Sequence, residues 1–97
     1  METPPVHVHK THPGGHPPVK VHKHAFDKGG IVTIVVHGPH GFTLSFTRHV
    51  GPKGGVHTHI HLPKGAPKGH YRVVVRGEHN GHPVLGSGDF KVKKKKS

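Results

Sequence analysis

The sequence predicts an all-β protein, an antiparallel β-sandwich of about seven short strands. Three observations lead there. Apolar residues recur at alternate positions in run after run, the period of a half-buried strand. Pro and Gly, 10 and 15 residues in a chain of 97, cluster between those runs as turns. β-branched Val dominates the apolar set with 14 copies, and no long stretch shows the 3.6-residue period of a helix.

The elements follow in order. Val6-His7-Val8-His9 alternates and predicts a first strand after a loose lead at 1–5. Residues 11–18 are a loop by their Pro and Gly content. Val19 to His22 predicts a second strand, and the apolar parity then breaks before Phe26, so a bulge is expected near Lys23 to Ala25. Asp27-Lys28-Gly29-Gly30 is a turn. Ile31 to Val36 is the most continuously apolar run and the expected central strand. After the turn at 37–41, Phe42, Leu44 and Phe46 alternate with Thr43, Ser45 and Thr47 in a fourth strand.

Gly51 to Gly55 turns the chain into Val56-His57-Thr58-His59-Ile60-His61-Leu62. Here Val56, Thr58, Ile60 and Leu62 share one face, and three imidazoles share the other, about 7 Å apart. Residues 63–69 form a crossing loop. Tyr71, Val73 and Val75 then point inward in a sixth strand. Asn80-Gly81 is a strong hairpin signal, and Val84, Gly86, Gly88, Phe90 and Val92 share parity in the seventh. One domain is expected, with the sandwich over 6–92 and a cationic tail at 93–97.

Charge is lopsided. Fifteen Lys and Arg face four acidic residues, for a formal +11 with His neutral. Fifteen His are more unusual. Imidazole titrates near 6.5, so protonating all 15 would raise the charge from +11 to +26. Such a surface attracts polyanions and repels itself in the compact state. Cysteine is absent, which excludes disulfides and thiolate metal sites. No apolar run approaches the ~20 residues of a membrane span. Met1 to Pro5 lacks the hydrophobic segment of a signal peptide, so cytoplasmic placement as expressed is expected.

Three stretches together resemble the bacterial immunoglobulin-like modules of cell-surface and cell-wall proteins. They are Phe26-Asp27-Lys28-Gly29-Gly30-Ile31-Val32-Thr33-Ile34-Val35-Val36, then residues 62–75 from Leu62-Pro63-Lys64-Gly65 to His70-Tyr71-Arg72-Val73-Val74-Val75, then Gly86-Ser87-Gly88-Asp89-Phe90-Lys91-Val92. The resemblance implies an immunoglobulin-like sandwich and a non-catalytic stalk, spacer or adhesive role outside the cell. It also implies that Tyr71 is a corner tyrosine, its ring buried and its hydroxyl tied to backbone. Family members carry Thr, Ser, Asp or Asn on exposed strand positions. Here His, Lys or Arg takes many of those places over an ordinary core, which reads as an engineered or designed His/Lys-rich variant, with a natural module from an unusual His-rich lineage as the alternative.

Two kinds of site are candidates. Imidazoles at i and i+2 on a strand share a face and can bite one Zn, Ni or Cu ion. The candidates are His7 with His9, His22 with His24, and His57 with His59 and His61, with a neighbouring strand about 4.8 Å away able to add a ligand. No carboxylate lies near in sequence to orient a ring, and nearby cations oppose a divalent ion, so weak binding is expected and no cofactor is required. The second candidate is a phosphate-attracting surface made by Lys64, Lys68, Arg72, Arg76, Lys93, Lys94, Lys95 and Lys96. With no recognition helix and five aromatics mostly needed inside, base readout is not expected. Ser45, Ser87 and Ser97 lack a nucleophile-elbow context, so catalysis is not expected either. The sequence thus points to a monomeric, pH-responsive polycationic module for anionic polymers, nucleic acid included. A metal-binding scaffold and an inert spacer or charge design are the alternatives.

Overall fold

Runs of alternating apolar residues form the strands, and most of the turns between them are rich in Pro and Gly. The computed structural model describes residues 4–94. Its strands are β1 (Val6–Val8), β2 (Pro18–Val21), β3 (Ile31–His37), β4 (Thr43–His49), β5 (Val56–His59), β6 (Gly69–His79) and β7 (His82–Val92). They form two antiparallel sheets packed face to face, one ordered β1-β2-β5 and the other β4-β3-β6-β7. Among the described residues, no helix is long and apolar enough to cross a membrane.

The alternating apolar residues meet between the sheets. Val19, Ile34, Ile60, Tyr71 and Val73 are completely buried. Among the described residues, no charged or polar side chain is buried with them. Phe42, Leu44 and Phe46 point inward as expected but stay half-buried, because β4 is the outer strand of its sheet. Arg48 takes the next inward position on β4. Its Nε donates to the Thr58 hydroxyl on β5 at 3.0 Å, and its guanidinium lies 4.6 Å from the Phe46 ring. This polar clasp closes one side of the sandwich.

The other side is closed by the first strand, which touches both sheets. β1 pairs with β2, while Pro5 and Thr11 bridge in parallel to Ser87 and Val92 of β7. The close approach explains Gly88. A Cβ there would collide with the Val6 carbonyl. At the far end of β7, Asn80 and Gly81 have φ of 53° and 78°, the two positive values that a two-residue hairpin turn needs.

Three expected element bounds are corrected. The first strand stops at Val8, so His9 lies beyond it. The second stops at Val21 in place of His22. The chain then leaves the sheet through a turn with His24 at φ 69°, where the His24 and Phe26 N–H groups donate to the carbonyls of Lys53 and Gly54. The parity break seen in the sequence is therefore a loop docked on the β4–β5 turn, and no strand resumes after it. The fifth strand stops at His59. Beyond it the Ile60 and Leu62 N–H groups still donate, to Pro17 and Gly15 at 3.0 and 3.1 Å. Pro17 and Pro18 have no N–H to return, so the ladder is one-sided. Alternation survives: Ile60 and Leu62 are buried and His61 is exposed.

Candidate functional site

The outer face of the smaller sheet carries the strand histidines. Register places His7 opposite Lys20 and Lys20 opposite His57, so one exposed row reads His7, Lys20, His57. The central ammonium stands where a cross-strand metal ligand would be needed, and it repels a divalent ion. His59 lies opposite Pro18, which supplies no ligand. Within β5 the His57 and His59 rings have centroids 5.9 Å apart. His22 and His24 both lie past the end of β2, and the left-handed backbone at His24 breaks the alternation that would set their rings side by side. Among the described residues, no three His, Asp or Glu side chains are gathered as metal ligands.

His61 is drawn elsewhere. Its ring stands 4.5 Å, centroid to centroid, from that of His16 in the loop before β2. The sequence hid this partner, because His16 sits in a Pro/Gly stretch with no strand periodicity to place it.

The cationic candidates separate into two groups. At the end of the molecule opposite the β6–β7 hairpin, three segments meet. Thr11 N–H donates to Lys91 O and Lys93 N–H to Thr11 O, each at 2.9 Å, and Gly14 N–H donates to Pro63 O at 3.0 Å. Gly69 pairs with Val92, which sets the Lys68 and Lys93 positions side by side. Lys10, Lys64, Lys68, Lys91, Lys93 and Lys94 therefore converge at one pole. Lys10 and Lys91 escaped the sequence reading, although Lys91 has the same outward parity as Lys93. Lys95 and Lys96 lie outside the described residues.

Arg72 joins the edge of this pole, opposite His37 on β3 and Asp89 on β7. Asp89 also lies 3.3 Å from the His70 Nε2, with both side chains largely exposed. Arg76 does not join. It is four residues further along β6, about 13 Å away, opposite Thr33 and Leu85. It lines a shallow groove of about 640 Å³ with Asp27 and Glu78. Those two carboxylates mark the hairpin end. Asp27 Oδ1 accepts the Asn80 N–H at 2.8 Å and lies 4.0 Å from His79 Nδ1, so this carboxylate is committed to holding the turn.

The result is charge polarity along a molecule 45 Å long and about 20 Å wide. One end concentrates Lys and His from the 9–17, 61–69 and 91–94 segments. The other mixes Lys23, Lys28 and Lys53 with two carboxylates. No protein-family model matches the chain, and no curated protein matches it.

Proposed function

We propose that this chain is a non-enzymatic immunoglobulin-like module that binds anionic polymers, nucleic acid included, through the lysine pole and without sequence preference. The observation that carries the reading is the convergence of Lys10, Lys64, Lys68, Lys91, Lys93 and Lys94 on one end, while Asp27 and Glu78 sit at the other. Phosphates approaching that end release their counterions to a dense ammonium cluster, which makes affinity fall with salt. His9, His12, His16, His40, His61 and His70 lie in the segments that make or adjoin this end, and imidazole is the side chain whose charge changes nearest neutral pH. Asp89 opposes them, and Arg72 and Lys91 add to them. Binding therefore tightens on acidification.

The immunoglobulin-like assignment is supported by the strand order of the two sheets and by the Tyr71 hydroxyl bonded to backbone four residues upstream. An ordinary valine-rich core beneath a His/Lys shell supports a designed or engineered surface on that frame. The chain acts as a monomer in this reading.

Binding to heparin and to duplex DNA at about pH 7.5 and about pH 5.5, in rising salt, tests it. Expected is a linear fall of log affinity with log salt and tighter binding at the lower pH. K64E/K68E/K93E should weaken binding at least about tenfold, and K23E/K28E/K53E at the other end less than about threefold. Equal losses from the two triple variants, or equal affinity at both pH values, would remove the proposal.

A further inference from the structure

His16 and His61 come from segments 45 residues apart in sequence, yet their rings stand 4.5 Å apart with planes at 59°. Backbone bonds on both sides hold them there. Ile60 N–H donates to Pro17 O at 3.0 Å, and Leu62 N–H donates to Gly15 O at 3.1 Å, so the pair is bracketed. His61 is flanked by the buried Ile60 and Leu62, and His16 by the buried Gly15 and Pro17. Both rings themselves are exposed. Among the described residues, neither ring makes a side-chain hydrogen bond within the protein.

The spacing suits a shared ion. A metal–nitrogen bond of about 2.0–2.1 Å puts the ring centroid about 3.2 Å from the metal. Two such rings at bond angles of about 90–109° then have centroids about 4.5–5.2 Å apart. The His16–His61 separation falls at the lower edge of that range, whereas His57 and His59 at 5.9 Å lie beyond it.

We infer that His16 and His61 form a two-imidazole site for a borderline-soft divalent ion, in the order Cu²⁺ above Ni²⁺ and Zn²⁺. The inference is independent of the polyanion reading, since it needs neither the lysine pole nor low pH. It also replaces the within-strand histidine pairs with a cross-segment one. Hard ions are not bound. Mg²⁺ and Ca²⁺ require oxygen ligands, and among the described residues the carboxylates are elsewhere, Asp27 and Glu78 at the opposite end and Asp89 on the other sheet. Water or a small anion fills the remaining positions on the ion; Lys64, packed against Gly14, attracts such an anion and, like Lys20 beside His57, repels the bare ion, which keeps the affinity modest.

Calorimetric titration of the full chain with NiCl₂ at about pH 7.5, in a buffer that does not chelate, decides it. Expected is one saturable site of micromolar affinity, with no heat from MgCl₂. H16Q and H61Q should each lower that affinity at least about tenfold, and the double variant should lower it no further. H57Q and H59Q should each change it less than about threefold. Saturating Ni²⁺ should raise the melting temperature of the wild-type protein, and this rise should vanish in H16Q while its metal-free melting temperature stays unchanged. Unchanged affinity in H16Q, or an equal loss in H57Q, overturns the assignment.

Discussion

Tyr71 donates its hydroxyl hydrogen bond to the carbonyl oxygen of Pro67, 2.5 Å away. The ring is completely buried, with Phe42 at 5.6 Å on one side and Phe90 at 5.2 Å on the other. One residue therefore pins the loop that bears Lys64 and Lys68 to the core. Removing only the hydroxyl leaves the packing and orphans a carbonyl. Y71F should lower stability by about 1–2 kcal/mol, read from chemical denaturation, with the fold retained.

The same burial raises the ionisation of the Tyr71 phenol above its ordinary 10.0. A folded state that holds this proton more tightly than the unfolded chain gains stability, and the gain is complete below about pH 10. As pH climbs past that value the unfolded phenol ionises first, and the gain is lost. The stability difference between the wild-type protein and Y71F should therefore be constant from about pH 7 to about pH 9. It should shrink steadily above about pH 10. A difference that grows with alkalinity would contradict this.

Gly88 lies beneath the Val6 carbonyl, where even a methyl group has no room. Backbone cannot yield as a flexible side chain does, so β1 must lift from β7. G88A should cost about 1–3 kcal/mol. Hydrogen exchange should show the loss first at Val6 to Val8 and Thr11, with β3 and β6 protected as before.

Acid should weaken the domain. Protonating imidazoles adds charge to a compact body already at +11, whereas an unfolded chain spreads the same charges apart. Repulsion therefore grows faster in the folded body than in the unfolded chain, and stability falls as pH falls. Two pairs oppose the trend, His70 with Asp89 and His79 with Asp27, but their side chains are 43–64% exposed and each is worth less than about 1 kcal/mol. The melting temperature should drop between about pH 7.5 and about pH 5; a rise would refute the repulsion argument.

Much of the fold was legible because strand alternation is local. Val56, Ile60 and Leu62 went inward and His57, His59 and His61 outward, as spacing alone required. The Asn80-Gly81 hairpin was equally plain. The strand ends were less so. Whether β5 runs to His59 or Leu62 depends on what faces it, and two prolines facing it in another segment are not visible from Val56 to Leu62.

The charged sites divide along the same line. Sequence by itself determined the residue types, the period-two separation of apolar from cationic side chains and the turn positions, because these follow from the stereochemistry of adjacent residues. Tertiary structure decided which cations become neighbours. It set Lys20 between His7 and His57, brought His16 to His61, joined Lys64 and Lys68 to Lys91 and Lys93, and sent Arg76 to the end that holds Asp27 and Glu78. Such juxtapositions depend on which distant strands pair and in what register, and that choice is made by the packing of the whole core.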